Sequence, residues 1–250
     1  MHVPTTFIIG NWKMNTTLDE AQALLSELSA ASSSVQVGIA PPMPWVVPLR
    51  QALPEPGIWI GAQQAVPTAT GAFSGDVSVS MISPYVDFVL IGHSEQRLYH
   101  PAPQGTFAQT VQTLLTEGKT AVLCVGENQE VRDAGRARDH VGAQLEDGIP
   151  DTIGDGIGRL IVAYEPVWAI GTSRAASADD AEEMAGFIHD WCTGRFGRSV
   201  PVLYGGSATE DNALEFLTQT HVSGLLVGSA SLHADRFNRI VAAAEVAIGH

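Results

Sequence analysis

Eight short, almost wholly apolar runs punctuate the chain: FIIGN at 7–11, VQVGIA at 35–40, IWIGA at 58–62, FVLIG at 88–92, TAVLCVG at 120–126, LIVAY at 160–164, VLYGG at 202–206 and GLLVG at 224–228. Strands with one wet face alternate apolar and polar residues. Runs that are apolar throughout suit strands buried on both faces of a parallel sheet. Helical spacing fills the gaps. Residues 17–31 carry Leu18, Ala21, Leu24, Leu25 and Leu28, and Ser177 opens another helix as an N-cap, with Asp180 three residues on where a capping box normally has glutamate. Residues 104–117, 138–146, 209–217 and 231–248 read as helices too, with shorter and weaker patterns at 44–52 and 77–82. Strand and helix alternate about eight times with no linker, charge block or low-complexity segment. The expectation is one α/β domain over 1–250, a parallel eight-stranded (β/α)₈ barrel with outer helices. A doubly wound open sheet would place a glycine-rich phosphate loop after its first strand. That position reads GNWKMN, whereas the glycine-rich turns YGGS and VGSAS follow the late strands, where barrels hold phosphate.

Composition adds limits. The chain has 250 residues, 45% hydrophobic and 16% charged, enough for a sizeable core. A formal net charge of -14 argues against nucleic acid and anionic membranes as partners. It does not exclude an anionic substrate, because long-range fields are screened over roughly 10 Å and local donors can overrule the global sign. The two cysteines, Cys124 and Cys192, read as reduced, partly buried thiols rather than a disulfide. The opening MHVPTTFII has no basic n-region or long apolar h-region, and no apolar run reaches the roughly 20 residues of a membrane helix. A cytoplasmic protein is expected.

If all strands point one way, the residues just past their C-terminal ends meet on one face. Asn11 and Lys13 follow the first strand, His93, Ser94 and Glu95 the fourth, Glu127 the fifth, Glu165 the sixth, Ser207 the seventh, and Gly228 with Ser229 the eighth. In YEPVWAIGT at 164–172, a buried strand delivers Glu165 to a loop that begins with Pro166, carries Trp168 and closes on Gly171, the pattern of a lid. Desolvating a carboxylate at a strand end is costly, and Glu165 taken alone reads as a structural acid about as readily as a catalytic one. Lys13 alone reads as solvated and His93 alone as a hydrogen-bonded structural histidine; their convergence is what suggests a site. The other histidines, such as His2, His100, His140 and His250, have no such placement. Nothing resembles HExxH, the cysteines lack metal-ligand spacing, and GHSEQ is not a nucleophile elbow. Backbone N–H groups bind a phosphate dianion without cationic side chains, so Gly171, Ser207, Gly228 and Ser229 could cradle one, with a helix starting near Ser231 aiming its positive end inward.

NWKMN at 11–15, GAQ at 61–63, GAFSG at 71–75, IGHSE at 91–95, CVGE at 124–127, YEPVWAIGT, YGGS at 204–207 and VGSASL at 227–232 resemble the triosephosphate isomerases, in that family's order and at about its spacing. The resemblance implies a TIM barrel that interconverts dihydroxyacetone phosphate and D-glyceraldehyde 3-phosphate with no metal or organic cofactor. It implies Glu165 as the base, His93 as the electrophile, Lys13 with Asn11 as the source of positive charge, and Glu95 as the orienting residue. Gly171, Ser207, Gly228 and Ser229 would hold the phosphate. It also implies a homodimer through loops at 71–75 and 95–106.

The chain departs from the family in places. Ser229 stands where a second glycine is usual, and a serine forced to positive φ would cost about 1 kcal/mol. The lid ends TSRAAS rather than TGKTA, Gln96 replaces an arginine, and Ser74 replaces a threonine. Two other readings therefore stand beside the first. One is a paralogue acting on another short ketose phosphate, such as a tetrulose phosphate; the other is a non-catalytic phosphate-binding barrel.

Overall fold

The computed structural model describes residues 6–30, 33–53, 57–169 and 176–249. Its strands are β1 (Thr6–Asn11), β2 (Val35–Ala40), β3 (Ile58–Ala62), β4 (Phe88–Ile91), β5 (Thr120–Val125), β6 (Leu160–Tyr164), β7 (Val202–Tyr204) and β8 (Gly224–Val227). Each pairs in parallel with the next, and β1 pairs with β8 to close the barrel. The eight apolar runs are these eight strands. Around them lie α1 (Leu18–Glu27), α2 (Met43–Ala52), α3 (Val79–Ile82), α4 (Ser94–Tyr99), α5 (Thr106–Thr116), α6 (Gln129–Asp133), α7 (Ala137–Gly148), α8 (Ala178–Phe196), α9 (Ala213–Leu217) and α10 (Ala234–Ile248).

Helix starts follow local chemistry. Thr17 caps α1 and Ser177 caps α8 through reciprocal bonds with Glu20 and Asp180, so the aspartate does serve in the capping box. α4 and α6 were not evident from periodicity, being too short to show a repeating face. Both begin at a side-chain cap just past a strand, His93 after β4 and Asn128 after β5. Two expected starts move. The helix expected from 209 opens at Ala213, because Asn212 accepts the Thr209 N–H at 2.7 Å and donates to the Ser207 carbonyl at 3.1 Å, closing a turn first. The helix expected near Ser231 opens at Ala234. Ser231 instead lies in a separate 3-10 turn, Ser229–Leu232, and bonds back to the Gly228 carbonyl through both its N–H and its hydroxyl.

Two apolar clusters hold the molecule together. The larger lies between strands and helices, and the smaller fills the barrel with Phe7, Ile9, Ala40, Phe88, Leu90, Val122, Cys124, Ile161, Ala163, Leu203 and Leu226. Side chains alternate along a strand, so these share one parity. Extending that parity one step toward the C-terminal mouth gives Asn11 on β1, Gly92 after β4, Gly126 after β5, Glu165 after β6, Gly205 after β7 and Gly228 after β8. On these six strands the topmost layer is four glycines, an amide and a carboxylate. Apolar filling stops there, and a polar hollow begins.

Candidate active site

At the mouth, Glu165 and His93 meet. Glu165 is 2% exposed and His93 6%. Glu165 Oε1 lies 3.0 Å from His93 Nε2, and Oε2 accepts the Ser94 N–H at 2.9 Å. Gly126 and Gly205 make this burial possible: a Cβ at Gly126 would stand 1.8 Å from the Glu165 carbonyl oxygen, and one at Gly205 2.9 Å from Glu165 Cγ. Only glycine lets the neighbouring strands approach so closely.

His93 sits at the N-cap of α4, where its Nδ1 accepts the Glu95 N–H at 3.3 Å. Glu95 Oε2 is also near Nδ1, at 3.6 Å. The two contacts require opposite roles of Nδ1, and 3.6 Å is too long for a hydrogen bond. Nδ1 is therefore assigned as the acceptor, which places the proton on Nε2, facing Glu165. The imidazole in this arrangement is neutral.

Lys13 reaches the same cluster from β1. Its Nζ pairs with Glu95 Oε1 at 2.7 Å, and its backbone N–H donates to Asn11 Oδ1 at 3.0 Å. The Lys13 backbone is left-handed, with φ of 51°. Non-glycine residues rarely adopt that conformation, and it persists where surrounding structure dictates it. Asn11, Lys13, Glu95, His93 and Glu165 thus form one connected set. Ser207, Gly228 and Ser229 lie on the same rim, past β7 and β8, without bonding to that set. The Ser207 hydroxyl donates to the Ala169 carbonyl at 2.7 Å, within the expected lid that begins at Pro166. Gly171 lies outside the described residues, as do residues 172–175 of the lid's TSRAAS end, while Ser177 at its close caps α8. Ser229 is exposed and is not among the positive-φ residues, so the strain that a serine there could have caused is absent.

Behind the site the structure adds residues whose part was not evident from sequence. Arg97 is folded inward, donating to the carbonyls of Gly92 at 2.8 Å and Cys124 at 3.0 Å and lying over the Phe107 ring. Burial lowers its pKa, yet a guanidinium stays charged, leaving a cation beneath the Glu165 carboxylate. Burial, then the charge of Glu165, pushes the Cys124 thiol well up, which keeps it protonated and unreactive. Glu127, fully buried, accepts from Trp168 Nε1 at 2.8 Å and from the Tyr164 hydroxyl at 3.1 Å, with Arg132 at 3.5 Å. That anchors the segment leaving Glu165. The CVGE run marked Glu127's position but not this role. Among the described residues no group of three or more His, Cys, Asp or Glu side chains could hold a metal ion.

Comparison with known proteins settles the family. The model of the triosephosphate isomerase family matches residues 6–244. The chain belongs to the triosephosphate isomerase family. It is similar to the triosephosphate isomerase of Alkalilimnicola ehrlichii, with 39% identity over 248 residues, covering 95% of this chain and 97% of the relative. The Porphyromonas gingivalis triosephosphate isomerase is 38% identical over 94% of this chain and 98% of its own length. That of Gluconacetobacter diazotrophicus is 37% identical over 95% and 97%. Of the family motifs read from the sequence, NWKMN runs past the end of β1, IGHSE past that of β4 and CVGE past that of β5, and His93 of IGHSE faces Glu165 after β6.

Proposed function

We propose that this chain interconverts dihydroxyacetone phosphate and D-glyceraldehyde 3-phosphate, with Glu165 as the base, His93 as the electrophile, and Lys13, Asn11 and Glu95 as their electrostatic setting. The buried Glu165–His93 pair at 3.0 Å is the observation that carries the reading. A proton beside a carbonyl is weakly acidic, so its removal needs a dry base and donors aimed at the oxygen where charge develops. Substrate entering between the two side chains takes over the Nε2–H of His93 at its carbonyl oxygen and frees Glu165 Oε1. The carboxylate then takes the proton from one carbon, leaving an enediolate, and returns it to the adjacent carbon. Neutral His93 gives its Nε2 proton to one oxygen and recovers a proton from the other. Lys13, steered by Glu95, offsets the negative charge of the enediolate and the phosphate.

The phosphate falls to backbone N–H groups around Gly171, Ser207, Gly228 and Ser229, which explains how a chain of net charge -14 can bind a dianion. Closing the lid over it would exclude water from the intermediate. The deciding experiment is turnover of D-glyceraldehyde 3-phosphate, coupled to a dehydrogenase that consumes dihydroxyacetone phosphate, for the native chain and Glu165→Gln. Losing the general base should cost about 10²–10⁴-fold in kcat. Full activity in the variant would refute the assignment.

The partner proposed is a second copy of the chain. Met14 is 95% exposed, Leu98 70%, Tyr99 69% and Phe73 56%, large apolar side chains on the loops after β1, β3 and β4 that a partner would cover. A cavity of roughly 640 Å³ lies beside Lys13, lined by Asn11, Met14, Gln64, Glu95 and Tyr99 among others. The loop at 71–75 of the second copy is the proposed filling. Light scattering at micromolar concentration should give twice the chain mass of 26.4 kDa; a monomer there would refute it. No helix among the described residues is long and apolar enough to cross a membrane, and the cytoplasm is the proposed location.

A further inference from the structure

Gln96 makes a set of contacts that no charged residue could make. Its Oε1 accepts the His93 N–H at 3.2 Å, while its Nε2 donates to the Gln63 carbonyl at 2.5 Å and reaches Gln64 Oε1 at 3.4 Å. Gln63 then turns its own Nε2 to the Lys13 carbonyl at 2.7 Å and the Ala40 carbonyl at 3.0 Å. Together these form a continuous relay, running from the His93 backbone through Gln96 and Gln63 to the Lys13 backbone.

The relay ends at a strained residue. Asn11 holds the N–H of Lys13 and Gln63 holds its carbonyl, so both peptide groups around its left-handed backbone are fixed. A side chain at 96 must accept from one backbone group and donate to another at the same time. An amide does both; a carboxylate lacks the donor, and an ammonium or guanidinium lacks the acceptor.

We propose that Gln96 is a positioning residue which, acting through Gln63, sets the placement of the His93 imidazole relative to the Lys13 ammonium. This rests on the isomerase reading above. Gln96 does not touch the reacting atoms; it fixes the two backbones from which the electrophile and the cation extend. The residues it joins lie far apart in sequence, on the loops after β1, β3 and β4.

The test is a double-mutant cycle on isomerase kinetics with Gln96→Met, Gln63→Met and the pair. Methionine keeps the length and removes both hydrogen-bonding functions. Misplacing catalytic groups by about 1 Å costs on the order of 10²-fold, so a partial loosening should lower kcat about ten-fold while KM changes less than about three-fold. Because both residues serve one relay, the double variant should be no slower than the slower single variant. A purely structural role would lower the melting temperature and leave kcat of the folded enzyme unchanged. If Gln96→Met does not fold, Gln96→Glu keeps the shape and the acceptor toward His93 and replaces the donor with a carboxylate oxygen facing the Gln63 carbonyl. It should show the same fall. A kcat within about two-fold of the native value for the folded variant, or penalties that multiply in the double variant, overturns the proposal. Native enzyme that fails to turn over triose phosphate sinks the isomerase reading instead, and the relay's catalytic role with it.

Discussion

Gly205 is the sharpest place to test whether Glu165 is held by shape. A Cβ added there would lie 2.9 Å from Glu165 Cγ and 3.3 Å from the Tyr164 carbonyl oxygen. Non-bonded carbons rest near about 3.6 Å, so something must yield by roughly 0.7 Å. The backbone is poorly placed to do so, because the Gly205 N–H donates to that same Tyr164 carbonyl at 2.7 Å. The Glu165 side chain is the softer partner, and it faces the mouth. At about 10²-fold per ångström of misplacement, Gly205→Ala should lower kcat by roughly 10–50-fold. Overpacking should also cost about 1–3 kcal/mol of stability, leaving a protein that is folded at the assay temperature. The measurement is steady-state isomerisation beside a thermal melt. Gly194→Ala serves as the control: Gly194 is exposed inside α8 and an added Cβ would meet nothing beyond its own helix backbone and chain neighbours, so this change should add about 0.5–1 kcal/mol of stability through helix propensity and leave kcat alone. A folded Gly205→Ala enzyme with kcat within two-fold of native would refute the view that close strand approach places the base.

Two further outcomes follow from burial and capping. Burial raises the Cys192 thiol from 9.0 to about 12, so the folded chain retains a proton that the unfolded chain releases. Its contribution is fully present below pH 9 and is lost as pH rises from 9 toward 12, at about 1.36 kcal/mol per unit; denaturant unfolding of Cys192→Ala across that window should show a slope shallower by this amount, and an identical slope would contradict the burial account. Ser177→Ala removes the hydroxyl that accepts the Asp180 N–H at 3.1 Å at the start of α8; the loss should be about 1 kcal/mol, read as a melting temperature lower by roughly 2–4 °C, and an unchanged melt would show that the cap is carried by other contacts.

What could be read from the sequence, and what could not, divides by the range of the signal. Runs apolar throughout mark the eight strands, and the C-terminal ends of those runs place Asn11, Glu165 and Gly228, so these were legible in the order of residues alone. Helices of ten residues or more showed a repeating face; α4 and α6, of six and five residues, did not. The Gln63–Gln96 relay and the Glu127–Trp168 anchor join residues 33 and 41 positions apart through single hydrogen bonds. Such a bond leaves no periodicity and no local motif. It can be seen only once the barrel has brought the strand ends together. The same distinction explains the charge. A net -14 describes the surface as a whole, whereas the mouth is governed by a few groups within hydrogen-bonding reach: Lys13 on Glu95, a neutral His93 offering Nε2–H, and Arg97 buried behind Glu165. Electrostatic energy falls with distance and is screened by salt, while His93 and Glu165 are almost wholly closed to water and the Lys13–Glu95 pair stands in direct contact at the more open rim. Local arrangement therefore decides what the site binds, and the overall charge decides only what the rest of the surface repels.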